Sequence, residues 1–140
     1  MTFPIVATSL AIFIVLLQQS LMLSVGMHRF KTQIGVGIGA DQHLERKMRR
    51  HGNLAENSAI FLVLLALAEL AGAPQQVMIG FAGAFAVARL SHVIGFSTLG
   101  GSHDPNAGGP WVMFRALGAF GTIGSGVGLA GYLVYFLYLT

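Results

Sequence analysis

The stretch FPIVATSLAIFIVLLQQSLMLSV, residues 3–25, contains no Asp, Glu, Lys or Arg. As a helix rising about 1.5 Å per residue, it is long enough to cross a hydrocarbon core of about 30 Å. It exceeds the roughly 7–15 apolar residues of a signal-peptide core, and no basic residue precedes it, so a membrane span is expected. Three further apolar runs follow, Ala59–Ala71, Val77–Phe96 and Trp111–Leu139. The second is short until the polar stretch before it is read as the same helix, beginning in an aqueous or protein-lined region. Gly72-Ala73-Pro74 closes that helix, and Gly100–Pro110 reads as a loop. The expectation is one all-α domain over residues 1–140, an integral membrane four-helix bundle with spans near 3–26, 54–71, 76–97 and 111–139.

Composition points the same way. Of 140 residues, 54% are hydrophobic and 9% charged, and the mean hydropathy is +0.71, whereas soluble domains carry about 25% charged residues. With no Cys, disulfides, thiolate metal sites and a protein-borne redox dithiol are excluded. The chain is basic, but its cations flank membrane runs, which favours anionic lipid or an anionic small molecule over nucleic acid. Histidines His43, His51 and His103 lack the close pairing of a zinc site on one helix, so no metal is expected. The alternating Gly35, Gly37 and Gly39 lack a strand-to-helix context for a nucleotide loop and read as a flexible connection.

All eight basic residues fall on one side. Arg29, Lys31, Arg46, Lys47, Arg49 and Arg50 lie between spans one and two, while Arg89 and Arg115 border the connection between spans three and four. By the positive-inside rule these connections are expected in the cytoplasm and both termini opposite. Glu69, the one acid on the opposite side, reads as a solvated helix end. Span four carries Gly124 and Gly128 in a GxxxG arrangement, which suits either packing within the bundle or an oligomer interface.

At about 100° per residue, Arg46, Arg49, Asn53 and Glu56 fall in a stripe about 80° wide. Arg89, His92 and Phe96 form a second stripe on span three. Ionisable groups at such depths mark either internal pairs or a function. Arg29, Arg46, Arg49, Arg89 and Arg115 face few acids, namely Asp41, Glu45, Glu56 and Asp104. An anionic ligand would restore the balance. Glu56 and Asn53 can accept from ammonium or amide groups, which suits a zwitterion with more than one carboxylate.

The pattern Arg46-x-x-Arg49-x-x-x-Asn53-x-x-Glu56, then Ala88-Arg89-Leu90-x-His92, then Arg115-x-x-Gly118, resembles the MAPEG family, membrane-associated proteins in eicosanoid and glutathione metabolism. The Val36–Asp41 loop resembles that of its bacterial members, and the whole is similar to microsomal glutathione transferases. The resemblance implies an inner-membrane location in a bacterium. It also implies a homotrimer with glutathione as cosubstrate, bound between neighbours at the cytoplasmic end. Helices one and two of one subunit would supply Arg29, Arg49, Asn53 and Glu56, with Arg46 and Asn57 beside them. The next subunit would supply Arg89, His92, Phe96 and Arg115, with Arg115 first and Arg89 second as the cation that ionises the thiol. A lipophilic electrophile or peroxide would then enter from the bilayer.

Three positions depart from the family pattern. Phe96 stands where several members carry Tyr, Ala116 where some carry Ser, and Asn57 where many carry Tyr. The first two remove a hydroxyl that could donate to a thiolate. Two readings therefore stay open: a glutathione-dependent transferase or peroxidase, and a non-catalytic lipid- or glutathione-binding scaffold of the same fold. A small multidrug transporter ranks behind both, because its span one would need a carboxylate that residues 3–25 do not contain.

Overall fold

The computed structural model describes residues 3–103 and 109–139. Its helices are α1 (Ile5–Thr32), α2 (Gln42–Leu70), α3 (Gln75–Gly95), the single turn α4 (Leu99–Ser102) and α5 (Pro110–Tyr138). Four of them, α1, α2, α3 and α5, are long and apolar enough to cross a membrane. No strand occurs among the described residues. The polar segment before Ala59 does belong to the second helix, which begins at Gln42 and runs unbroken to Leu70. Residues 104–108, the middle of the expected Gly100–Pro110 loop with the acid Asp104, lie outside the described residues, and α4 occupies the loop's first residues.

The helix ends follow local chemistry. Asp41 caps α2 by accepting from the amides of His43 and Leu44 at 2.9 and 3.0 Å, satisfying donors that a helix start leaves unpaired. Gly72, at φ +89°, makes the left-handed turn after α2, and Pro74 sets the start of α3. The Gly35–Ala40 connection makes a defined turn, with Gly37, Gly39 and Ala40 all at positive φ.

Packing is pairwise: α3 lies most extensively against α5, and α1 against α2. Leu54, Phe61, Leu65 and Ala68 of α2 share one buried apolar cluster with Leu10 and Ile14 of α1, Met78, Ala82 and Phe85 of α3 and Leu129 of α5. The Phe61 and Phe85 rings stack with centroids 3.9 Å apart and planes 8° from parallel. The outer faces remain apolar, with Phe30, Ile60, Phe120 and Val127 all well exposed. Such a surface belongs in lipid, and the chain is an integral membrane protein.

Small residues let α3 and α5 touch. A Cβ on Gly118 would sit 2.5 Å from the Cβ and backbone N of His92, one on Gly95 would sit 2.5 Å from the Arg115 backbone N, and one on Gly121 would sit 2.9 Å from the Ala88 Cβ. Of the GxxxG pair, Gly124 faces open space and Gly128 meets only the Phe81 ring edge. The close intrachain approach therefore runs through Gly95, Gly118 and Gly121.

Glu69 differs from its sequence reading. Its carboxylate accepts from the amides of Val6 at 3.0 Å and Ala7 at 2.7 Å. Pro4, at the head of α1, offers no side-chain cap, so α2 supplies one across the helix pair. The charge also meets the positive end of the α1 dipole.

Candidate functional site

The basic end of the bundle holds the polar residues, and helix geometry explains how they meet. On α2, the Arg46/Arg49/Asn53/Glu56 stripe turns toward open clefts. Arg46, Arg49 and Asn53 line one of about 440 Å³ together with Glu45, Phe96, Ser102 and His103. Arg49, Asn53 and Glu56 line a second, of about 340 Å³, with Ile38, Glu45, Met48 and Gly52. A third, of about 470 Å³, is walled by Asn53, His92, Phe96, Val112, Arg115, Ala116 and Ala119. Asn53 borders all three, and Phe96 borders two. Thus within one chain Asn53 and Phe96 join the cleft that Arg49 borders to the adjoining cleft of His92 and Arg115.

The close approach of α3 and α5 sets the third cleft. Because Gly95 has no side chain, the Arg115 backbone lies directly against α3, and its guanidinium carbon stands 5.6 Å from the centre of the Phe96 ring. The His92 and Phe96 rings stack at 4.7 Å. Arg115 Nη1 donates to the carbonyls of Gly101 and Ser102 at 2.9 and 3.2 Å, so α4 holds one edge of the fork while the residue borders the cleft.

The other arginines are held mostly by carbonyls. Arg46 is buried and donates to the Phe96 and Ser97 carbonyls at 3.0 and 2.6 Å, closing the end of α3. Arg29 donates to the carbonyls of Ile34 and Gly35 and to Met48 Sδ, clamping the α1–α2 turn. Arg89 is 2% exposed and donates to the Asn53 carbonyl at 3.2 Å, beside the Phe85 ring. Its Nε is buried and makes no hydrogen bond. A buried cation without an acid is costly and usually functional. Glu56 and Asn57 are exposed; Asn57 donates back to the Asn53 carbonyl at 2.8 Å.

Among the described residues no arginine forms an ion pair with a carboxylate; Asp41 and Glu45 instead contact the rings of His28 and His103 at 2.7 and 3.3 Å. Asp41 is further spent on the α2 amides, and Glu69 lies at the other end of the bundle on α1. Glu45 and Glu56 line the clefts beside Arg49 without pairing with an arginine, and Asp104 lies outside the described residues. Sequence reasoning did not find the carbonyl clamps on Arg29, Arg46 and Arg115, because backbone acceptors leave no mark in a residue pattern. It also missed Glu45 and Ser102 as cleft walls; the nearness of Glu45 to Arg49 on one helix face was the available signal.

The MAPEG family model matches residues 7–135, nearly the whole length. The chain belongs to the MAPEG family. Neither the curated proteins nor the solved structures compared with it gave a match. This MAPEG chain thus carries the arginine-rich clefts on the fold its sequence pattern implied, with the Arg49/Asn53/Glu56 stripe and the Arg89/His92 pair inside the matched region.

Proposed function

We propose that this protein is a glutathione-dependent membrane enzyme, a transferase or peroxidase, working as a homotrimer with its basic end in the cytoplasm. The observation that carries the proposal is that Arg49 and Arg115 border adjoining clefts joined by Asn53 and Phe96, and that among the described residues neither guanidinium is paired with a carboxylate. Glutathione offers two carboxylates for guanidinium forks, an ammonium for Glu56 and amides for Asn53. Arg29, Arg46, Asn57, Arg89 and His92 complete the proposed binding set, with Arg29 and Arg46 acting through the turns they hold.

A free thiol has a pKa near 8.5, so only about 3% is thiolate at pH 7. Lowering that value by about two units requires roughly 2.7 kcal/mol of preference for the anion. A guanidinium donating to sulfur in a cleft of low dielectric is of the right order, and Arg115 is the first choice because it borders the cleft shared with Phe96. Arg89 is the second. The thiol proton passes to water. The sulfur lone pair then forms a bond to an electrophilic carbon, whose leaving group or π bond takes the displaced electrons, or attacks a peroxide oxygen as the O–O bond breaks.

A lipophilic partner has a path. An apolar groove of about 320 Å³ runs from Glu56 and Asn57 along Ile60, Leu64, Ile123 and Val127 toward the membrane interior. Its walls bear only aliphatic and aromatic groups below Asn57, apart from Thr122, so it selects weakly among apolar substrates.

The test is equilibrium binding of glutathione to the detergent-solubilised protein and to Arg49→Ala. Loss of at least tenfold in affinity supports the assignment, and unchanged affinity removes it. The second reading, a scaffold that binds without turnover, draws on Phe96: the ring beneath Arg115 carries no hydroxyl. Turnover of a model electrophile by wild type but not by Arg115→Ala excludes the scaffold.

A further inference from the structure

A separate cleft of about 290 Å³ lies on the outside of the α1–α2 pair, away from the arginine clefts. On α1, Met27 and His28 each lie three or four residues from both Ser24 and Lys31, so the four share one face, and Lys47 of α2 closes the opposite wall. Ser20 and Leu23 extend the same stripe toward the membrane interior. From Lys31 to Ser20 the helix descends roughly 16 Å. Two ammonium groups therefore stand over a strip on which Leu23 and Met27, 62% and 51% exposed, alternate with the small Ser20 and Ser24.

The cation on Lys47 is held in place. Asp41 Oδ2 accepts from His28 Nε2 at 2.7 Å, while Asp41 Oδ1 is engaged by the first amides of α2. A carboxylate can only accept and an ammonium can only donate, so His28 Nε2 donates to Asp41 and Nδ1 presents its lone pair to Lys47. Lys47 Nζ lies 3.1 Å from that Nδ1 and donates to it. The chain Asp41–His28–Lys47 thus aims an ammonium group into the cleft, and no acid is among the cleft's lining residues.

We propose that this cleft seats an anionic bilayer phospholipid, its phosphodiester between Lys31 and Lys47 and one acyl chain along Leu23 and Met27. A compact ammonium suits phosphate oxygens as a point charge, and juxtamembrane lysines attract anionic lipid at the cytoplasmic surface. The exposed Leu23 and Met27 below the lysines, on a membrane-spanning helix, favour a lipid over a soluble anion. No step of the glutathione reading depends on this site.

The experiment is native mass spectrometry of the full-length detergent-purified protein, titrated with phosphatidylglycerol or phosphatidylcholine, with inorganic phosphate as competitor. The expected result is saturable retention of phosphatidylglycerol over phosphatidylcholine, weakened about fivefold by Lys31→Gln or by Lys47→Gln. Leu23→Trp, which keeps every charge and fills the lower strip, also weakens retention, whereas Arg50→Gln, which removes one cation from the same end of the bundle, does not. Equal loss in Arg50→Gln, or no loss in Leu23→Trp, overturns the proposal in favour of diffuse attraction. Equal retention of phosphatidylcholine, or displacement by inorganic phosphate, overturns the assignment to an anionic lipid. Helical circular dichroism of each variant confirms that the fold is retained.

Discussion

Adding one methyl group at Gly118 should loosen the whole α3–α5 pair. In Gly118→Ala the new Cβ would lie 2.5 Å from the His92 backbone N and 2.6 Å from its Cα. Carbon contacts settle at about 3.5–4.0 Å, so the helices must part by roughly 1 Å at this level. The atoms met are backbone and cannot swing aside. Overpacking of a tight interior costs about 1–3 kcal/mol, and a backbone clash places this variant near 3 kcal/mol. Gly83→Ala is the control: nothing lies within 4 Å of its Cβ position, so better helix propensity leaves it neutral or stabilised by up to about 1 kcal/mol. Denaturant unfolding followed by circular dichroism in mixed micelles reads the difference. Because Gly118 opposes His92, the same variant should also weaken glutathione binding. Equal stability of the two variants would refute the argument that Gly118 sets the helix spacing.

Other consequences are open to measurement. Glu69→Gln removes the charge that caps α1 across the helix pair, and should cost about 1 kcal/mol with faster hydrogen exchange at the Val6 and Ala7 amides; unaltered exchange there would contradict the cap. Hydrogen bonding from His28 and from the amides of Leu44 and His43 holds the Asp41 carboxyl below its ordinary 3.8. Its stabilising effect is therefore complete above that value and is lost as pH falls through the lower folded one. Asp41→Asn keeps a good cap but should lack this acid-range slope in a stability–pH profile. Arg89→Met replaces a buried cation that pairs with no acid among the described residues with an apolar chain, so stability should change by less than about 1 kcal/mol while glutathione affinity falls at least tenfold. Phe96→Tyr puts a hydroxyl on the ring beneath Arg115 and should raise turnover about tenfold, the worth of one more donor to an anion; unchanged turnover would show that the ring does not face the sulfur.

Much of this architecture is legible in the residue order, because it rests on periodicity and on lengths set by the bilayer. The charge-free run from Phe3 to Val25, the Gly72-Ala73-Pro74 break and the continuity of α2 from its polar start all follow from those rules. So does the Arg46/Arg49/Asn53/Glu56 stripe, whose members line adjoining clefts. What was not legible depends on which element lies opposite. Glu69 looks solvated until the uncapped start of α1 is seen beside it. The choice of Gly118 and Gly121 over Gly124 follows from how α5 is rotated against α3, which six glycines in one helix leave undecided. Arg46 and Arg29 belong to the same composition as Arg49, yet carbonyls at the ends of α3 and α1 hold them. Asp41 reads as a spare acid and proves to be a cap joined to His28.

The ionisation of a bound thiol tests the account most directly. Glutathione added to the purified protein should develop the ultraviolet absorbance of a thiolate, with a pH midpoint about two units below the free thiol's 8.5. Arg115→Ala should return that midpoint to the free value. Binding without thiolate absorbance at neutral pH, or a midpoint that Arg115→Ala leaves in place, would contradict it.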